Sequence, residues 1–197
     1  MYEHEISDRT GVTELSSLEE KTLKSEEIFS GKVISLHLQD VELPNGKHSK
    51  REIIKHPGAV AILAITDDKK IVMVEQYRKA LERTIVEIPA GKLEKGEEPA
   101  VCARRELEEE TGYECTELEL LTSFYTSPGF ADEIVHVFLA KGLTKKENSA
   151  SLDEDEFVNL EELTLVESLQ YIKEQKIYDA KTIFAVQYLQ LQEALRK

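Results

Sequence analysis

The segment of residues 91–113 limits what this chain can fold into more than any other, because it spaces acidic residues at helical intervals between two glycines. Residues 96–99 predict the start of a helix, and Gly112 predicts its end as a C-cap glycine. Successive helical residues advance by about 100°, so three carboxylates fall on one edge of this helix. They are those of Glu106, Glu109 and Glu110, whereas Glu108 points the other way.

The apolar side of the same helix predicts where that acidic edge lies. Ala100, Ala103 and Leu107 occupy the neighbouring arc and are expected to pack on a sheet, which would hold the carboxylates at its rim. Crowded like charges cost stability, and Mg²⁺ or Mn²⁺ offsets them because hard cations prefer oxygen ligands. The alternative is a solvated acidic face on which Arg105 pairs with Glu109 at i,i+4.

The first third of the chain has the pattern of antiparallel strands. Apolar residues alternate from Lys21 onward, with a one-residue shift that predicts a bulge near residues 39–40 and a hairpin turn at residues 44–46. This hairpin is too small to bury a core alone. We therefore expect three regions: a flexible extension over residues 1–20, an N-terminal β subdomain over 21–57, and the main domain over 58–197.

Strand signals dominate the main domain, with three helices between or after them, which predicts an α+β fold. Apolar runs at residues 59–65, 71–74, 84–88, 124–125, 134–140 and 157–160 predict strands. Thr164 with Glu167 resembles a capping box that opens a second helix, and apolar spacing predicts a third over residues 180–195. Ala185, Val186, Tyr188 and Leu189 lie outside the main stripe of that last helix, which suggests burial on two sides.

Composition excludes several classes of function. The chain has 25 Lys and Arg against 39 Asp and Glu, a net charge of −14, so nucleic acid is not an expected partner. No apolar run approaches the ~20 residues of a membrane helix, and the N-terminus lacks a signal-peptide pattern. Cys102 and Cys115 have no metal-binding or disulfide spacing. We expect a cytoplasmic protein with reduced thiols that does not bind membranes.

The complete spacing of residues 91–113 resembles the Nudix hydrolase box. Its fixed positions are Gly91, Glu97, Arg105, Glu106, Leu107, Glu109, Glu110 and Gly112, and it departs only at Tyr113, where the family usually has an aliphatic residue. The resemblance implies an α/β/α sandwich around a mixed sheet. It also implies that Glu106, Glu109, Glu110 and the carbonyl of Ala90 bind metal, with Arg105 and Glu97 orienting these ligands.

The implied chemistry suits an acidic protein. A diphosphate repels both the protein and an attacking water, so bound Mg²⁺, with Mn²⁺ as a substitute, must neutralise it and polarise the attacked phosphorus. A general base within hydrogen-bond reach of the water is also needed. The implied catalytic residues are Glu110, Arg105 and Glu154.

Features outside the box resemble the ADP-ribose pyrophosphatase subfamily, which cuts ADP-ribose to AMP and ribose 5-phosphate. By that resemblance Arg51 and Glu52 contact the adenine side, Arg78 contacts the phosphates, and Ser127, Pro128 and Gly129 with Glu133 contact the terminal ribose. Each has a simpler interpretation as an exposed charge, a salt-bridge partner or an ordinary turn.

The acidic loop at residues 153–156 resembles the loop that supplies the catalytic base in this subfamily. The preferred register makes Glu154 the base and Glu156 a further metal ligand, and a slip of two residues would exchange them. A solvated acidic loop is the alternative.

Members of this subfamily are homodimers with exchanged N-terminal subdomains, so a homodimer is the expected assembly. Two other functions stay open: hydrolysis of another nucleotide sugar such as GDP-mannose, and non-catalytic sensing of ADP-ribose. A hydrolase of 8-oxo-dGTP is less favoured, because such proteins typically lack the N-terminal hairpin and the Ser-Pro-Gly segment. A sensor should have lost box carboxylates, and this chain retains them all.

Overall fold

The computed structural model describes residues 18–146 and 157–196. The chain there forms two sheets and three helices. Its elements are β1 (Lys21–Ser30), β2 (Ser35–Glu42), β3 (His48–Lys55), β4 (Ala59–Ile65), β5 (Ile71–Arg78), β6 (Arg83–Glu87), β7 (Ala90–Lys92), α1 (Pro99–Thr111), β8 (Tyr113–Tyr125), β9 (Ile134–Lys145), β10 (Val158–Leu163), α2 (Leu165–Lys173) and α3 (Ala180–Leu195).

The N-terminal sheet is antiparallel, in the order β1-β2-β3. The turn between β2 and β3 has Gly46 at a φ of 77°, a left-handed conformation that glycine adopts without strain. An irregularity lies next to the predicted position, but the extra residue is on β1, between Thr22 and Lys24, which pair with Val41 and Asp40. The β2–β3 register is continuous, and a second shift lies on β1 between Glu27 and Phe29.

The second sheet is mixed and carries helices on both faces, as predicted. Its order is β10-β5-β4-β9-β8, with β6 and β7 beside β5 and β4; among the described strands, only β4 and β9 pair in parallel. Alternate residues of β4 face opposite layers: Val60 and Ile62 pack with α1, whereas Ala61 and Leu63 pack with α3. This burial on both faces explains why β4 is a continuous apolar run.

Helix α1 packs on the sheet through a slightly different face than the sequence predicts. Ala103 and Leu107 are fully buried as expected, but Ala100 is exposed in the first turn and Cys102 is buried in its place. The helix ends as predicted at Gly112, whose φ is 71°. Burial raises the pKa of the Cys102 thiol to about 12, and both cysteines are free.

The long strand β8 is the largest difference from the predicted elements. Only residues 124–125 are predicted as a strand there, whereas β8 extends from Tyr113 to Tyr125. The strand is an edge strand paired only with β9 within the described part of the chain, and most of its residues are at least partly exposed. Partial exposure on both faces removes the alternation that identifies a strand.

The C-terminal helices agree with their predicted start signals. Thr164 and Glu167 form the reciprocal hydrogen bonds of a capping box, and Asp179 caps α3 through the backbone N–H of Thr182. Ala185, Val186, Tyr188 and Leu189 all pack in the core of their own chain. None of the helices within residues 18–146 and 157–196 is both long and apolar enough to cross a lipid bilayer.

Candidate active site

Ala90 and Gly91 of β7 pack closely against the acidic edge of α1. Glu110 Oε2 accepts a hydrogen bond of 3.0 Å from the backbone N–H of Ala90. A Cβ atom built on Gly91 would lie 1.9 Å from Cδ of Glu106, so only glycine allows this approach without displacing that carboxylate. The first glycine of the box is therefore required by side-chain packing, since its φ is not in the left-handed region.

Arg105 gathers the other carboxylates of this edge. Its Nε and Nη2 donate to the two oxygens of Glu97 at 3.0 and 3.1 Å. Its Nη1 donates to Glu106 at 2.8 Å and to Glu109 at 2.9 Å. We call Glu97, Arg105, Glu106, Glu109 and Glu110 the acidic-edge cluster. The i,i+4 pair that the sequence offered as an alternative is present, as part of a larger network.

This network shifts the protonation of its members. The hydrogen bonds from Arg105 lower the pKa of Glu97 to about 2, and the same bonds raise the pKa of Arg105 further above its usual range. Glu108, predicted to point away, pairs with Lys146 at 2.8 Å on the other side of the helix. Glu97 is therefore held ionised by Arg105, and Glu108 lies apart from the acidic-edge cluster.

The acidic-edge cluster has the chemistry of a divalent-cation site. Within residues 18–146 and 157–196 no group of three or more His, Cys, Asp or Glu side chains is preassembled around a metal position. Arg105 holds Glu106 and Glu109, and Ala90 engages Glu110. The donors are nevertheless carboxylate oxygens, and Glu106 and Glu109 line a cavity of 550 Å³. Their chemistry fits Mg²⁺ or Mn²⁺.

A second group of charges lines a cavity that Ala90 and Gly91 of β7 also border. Glu87 is 3% exposed and accepts hydrogen bonds from Arg78 Nε at 2.5 Å and from Lys181 Nζ. Lys181 also donates to Asp179 at 2.9 Å. We call Arg78, Glu87, Asp179 and Lys181 the Glu87 cluster. It joins β5, β6 and the start of α3.

Sequence reasoning missed Glu87, Asp179 and Lys181 as site residues. The available signal was Glu87 itself, a carboxylate inside the apolar run of residues 84–88. A buried carboxylate in such a run needs a cationic partner. Its partner Lys181 lies 94 residues away, so only the fold reveals the pair.

The two clusters border adjoining cavities. The cavity beside the acidic-edge cluster shares Arg78, Ala90, Gly91 and Lys92 with a second cavity of 390 Å³. The second cavity is also lined by the Glu87 cluster and by His56, Thr126 and Glu133. Arg78 therefore borders both cavities, each of which is lined by carboxylates and cations.

The structure brings some of the predicted substrate residues to these cavities and not others. Arg78 lines both cavities, and Glu133 lines the cavity of 390 Å³. Ser127, Pro128 and Gly129 form a turn, in which the Ser127 carbonyl accepts from the N–H groups of Phe130 and Ala131. Arg51 and Glu52 lie on β3, where Arg51 pairs with Glu20 at 2.6 Å, and they line neither cavity. Glu154 and Glu156 lie outside the described residues.

The aromatic residue at the end of the box has a structural explanation. The hydroxyl of Tyr113 donates to Glu162 on β10 at 2.6 Å, and this bond raises the pKa of the tyrosine to about 12. An aliphatic side chain could not make this link between β8 and β10. The departure from the family pattern therefore leaves the acidic edge intact.

Comparison with protein families agrees with this geometry. The model described as "NUDIX domain" matches residues 55–184, and the chain belongs to the Nudix family. The N-terminal sheet separately matches the model described as "Nucleoside diphosphate sugar hydrolase N-terminal domain" over residues 20–54. Together the two matches cover both sheets, and the predicted family is confirmed.

Several relatives are similar over nearly their whole length. "Methanol dehydrogenase activator" of Bacillus methanolicus is 73% identical over 90% of this chain and 96% of its own. "ADP-ribose pyrophosphatase" of Bacillus subtilis (strain 168) is 66% identical over 92% of this chain and 98% of its own. "GDP-mannose pyrophosphatase" of Escherichia coli (strain K12) is 34% identical over 86% of this chain and 94% of its own.

A solved structure described as "Crystal structure of ADP compounds hydrolase" has the same fold. It covers 93% of this chain and 97% of its own, with a TM-score of 0.78 and 21% identity. At this identity the likeness concerns the fold. The predicted arrangement of helices on both faces of a mixed sheet is confirmed.

Proposed function

We propose that this chain hydrolyses the pyrophosphate bond of ADP-ribose to AMP and ribose 5-phosphate in a Mg²⁺-dependent reaction. The observation that carries the proposal is the pair of adjoining cavities, with the acidic-edge cluster in one and Arg78 at their junction. The 66% identity to a relative named ADP-ribose pyrophosphatase favours this nucleotide sugar over GDP-mannose, whose named enzyme is 34% identical.

The position of each residue determines the role that we propose for it. Glu106, Glu109, Glu110 and the Ala90 carbonyl would hold Mg²⁺, with Glu156 as a further ligand. When bound, the cation neutralises the diphosphate charge and polarises the attacked phosphorus. Arg105 orients the carboxylates through the bonds described above, and Arg78 contacts the phosphates from the cavity junction. Glu154 accepts the proton of the attacking water as the general base, or Glu156 does so in the alternative register.

The N-terminal sheet supports the proposal of a homodimer. All ten residues of β1 are exposed in one chain, including Leu23, Ile28 and Phe29, which are 45–54% exposed. Apolar side chains on a thin sheet favour cover by another surface. In such a dimer Arg51 and Glu52 would contact the adenine in the partner's site, and residues 21–57 would act as the dimerisation subdomain. We place this enzyme in the cytoplasm.

The assembly is tested by sedimentation at micromolar concentration. A chain of 22.4 kDa should sediment as a dimer of 2 × 22.4 = 44.8 kDa. A single species at the monomer mass would contradict the exchange of N-terminal sheets. It would leave the hydrolytic site of the main domain untouched, so the two proposals fail separately.

A substrate panel tests the activity itself. ADP-ribose, GDP-mannose, other nucleotide sugars and 8-oxo-dGTP are incubated with Mg²⁺, and a phosphatase releases phosphate from the monoester products. Preferred turnover of ADP-ribose is the expected result. Preferred turnover of GDP-mannose would support the second substrate. Binding of ADP-ribose without turnover of any substrate would support a sensor.

A second candidate function rests on the relative that is 73% identical and named methanol dehydrogenase activator. This chain keeps all box carboxylates, so its activation of such a dehydrogenase would depend on its own hydrolytic site. The test adds this protein to a methanol dehydrogenase assay with Mg²⁺. Stimulation that disappears in the Glu110→Gln variant would link activation to hydrolysis, and stimulation that persists would separate them.

A further inference from the structure

His56 lies in the short link between β3 and β4 with its side chain almost buried. The side chain is 9% exposed, yet it lines the 390 Å³ cavity. The backbone N–H of Gly58 donates to His56 Nδ1 at 3.1 Å. Because a backbone N–H can only donate, Nδ1 is an acceptor, and the neutral ring carries its proton on Nε2. The protein thus fixes the tautomer of this histidine.

The protonated Nε2 of His56 lies near the carboxylate of Glu133, but the two groups are too far apart for a direct hydrogen bond. His56 Nε2 lies 3.8 Å from Glu133 Oε1, which is too long for a direct hydrogen bond. The other oxygen of Glu133 accepts from Thr126 Oγ1 at 2.5 Å, which holds the carboxylate in place. An oxygen atom about 2.8 Å from both Nε2 and Oε1 would complete the geometry.

The same cavity is also lined by other polar groups. Asp179 lines it, and among residues 18–146 and 157–196 its Oδ2 is a buried atom without a hydrogen-bond partner. Lys181 lies beside it in the Glu87 cluster. Donors and acceptors in one cavity match a ligand with several hydroxyl groups better than an apolar one.

We propose that His56 Nε2 donates a hydrogen bond to one hydroxyl of the distal sugar of the substrate. The same hydroxyl would donate to Oε1 of Glu133, the carboxylate that the subfamily resemblance already implies for the terminal ribose. This inference rests on the proposed function, since it takes the substrate to be a nucleotide sugar. A hydroxyl can accept one hydrogen bond and donate another, so it fills the gap without leaving either group unpaired. His56 is then a residue that determines specificity for the sugar.

Two variants separate this role from a structural one. Asparagine in His56→Asn has an oxygen near the Nδ1 position, so it keeps the acceptor for Gly58 and loses the Nε2 donor. Glutamine in His56→Gln places an amide donor near the Nε2 position and loses that acceptor. His48→Asn, at an exposed histidine at the start of β3, is the matched control.

The variants are assayed on ADP-ribose and on the methyl ester of ADP, which keeps the anhydride bond and lacks the distal sugar. We expect His56→Asn to raise the KM for ADP-ribose about tenfold, with a much smaller change for the methyl ester. His56→Gln should retain a KM nearer that of the unmodified protein, and His48→Asn should match it. Equal losses on both substrates, or a larger loss in His56→Gln, would overturn the proposal in favour of a structural turn residue.

Calorimetric binding keeps this test independent of turnover. ADP-ribose and the methyl ester are titrated with Mg²⁺ into the Glu110→Gln variant, with and without His56→Asn. A preference for ADP-ribose that His56→Asn removes supports the hydroxyl site even if ADP-ribose is never cleaved, in which case only the proposed function fails. Equal affinity for both ligands would overturn the hydroxyl site, whatever the turnover.

Discussion

The acidic-edge cluster and the Glu87 cluster line cavities that both border β7, but the two clusters differ in their balance of charge. The acidic-edge cluster sets four carboxylates against the single guanidinium of Arg105. The Glu87 cluster sets two carboxylates against two cations, Arg78 and Lys181. Excess negative charge favours a further cation, whereas the Glu87 cluster is balanced within itself. The comparison supports the proposal that the first cluster binds metal and that the second positions Arg78.

The largest expected effect tests the metal-binding half of this comparison. Glu110→Gln keeps an oxygen that can accept from Ala90 but removes a negative charge from the edge. We expect kcat to fall roughly 10³-fold, because a ligand of the activating cation is lost. Steady-state turnover of ADP-ribose at saturating Mg²⁺ measures the change.

The matched control lies on the same helix. Glu108→Gln alters a carboxylate that pairs with Lys146 away from the cavities, so turnover should stay close to that of the unmodified protein. A drop of less than tenfold in Glu110→Gln would contradict the assignment of metal binding to this edge.

The next effect tests whether Gly91 of β7 positions the acidic edge. Alanine at Gly91 would place Cβ 1.9 Å from Glu106 Cδ, so the carboxylate must move. Displacement by about 1 Å costs on the order of 10²-fold in turnover. Gly91→Ala should therefore lower kcat while circular dichroism shows an unchanged fold. Normal turnover would show that the position of Glu106 is not critical.

The two clusters also differ in how far the sequence could reveal them. Glu106, Glu109 and Glu110 lie on α1, so helical periodicity places these three carboxylates on one edge before any fold is known. Glu97 precedes the helix, and its role and that of Arg105 were predicted only from the resemblance to the Nudix box. The Glu87 cluster joins residues from three elements that are distant in sequence. The same limit applies to His56 and Glu133, which meet only because β4 and β9 are parallel neighbours.

The fold shows the same division between local and distant signals. Runs buried on both faces, such as β4, were predictable to the residue because each position is apolar. The edge strand β8 was largely missed because its side chains are partly exposed on both faces. The bulge was assigned to the wrong strand, since a shift in alternation does not show which of two paired strands has the extra residue.

A smaller effect tests the positioning half of the comparison. Lys181→Met leaves Glu87, which is 3% exposed, with Arg78 as its remaining cation. We expect the free energy of unfolding to fall by about 2 kcal/mol, because part of a buried ionic network is lost. Urea denaturation measures it, and KM for ADP-ribose should rise because Arg78 is less well held.

The control for that variant is an exposed pair of the same kind. Lys79→Met removes the partner of Glu82, where both side chains are more than 70% exposed, and should change stability by less than about 0.5 kcal/mol. If the two lysine variants unfold at the same urea concentration, the Glu87 cluster does not stabilise the fold.

The smallest effect concerns the pH dependence of the acidic edge. The pKa of Glu97 is lowered to about 2 by Arg105, below its value of about 4.3 in an unfolded chain. A group with a lowered folded pKa stabilises the protein above its unfolded pKa, and this contribution is lost as the pH falls through 4 toward 2. Glu97→Gln should therefore lose about 1 kcal/mol near neutral pH and less near pH 3.

Urea denaturation at a series of pH values measures this difference, with Glu98→Gln as the control. Glu98 precedes α1 without a side-chain capping bond and is exposed, so its replacement should leave the pH profile unchanged. If Glu97→Gln shows the same acid profile as the unmodified protein, the Arg105–Glu97 pair does not organise the edge. Only the bound cation would then offset the repulsion among the carboxylates. That repulsion would destabilise the fold most in the metal-free protein.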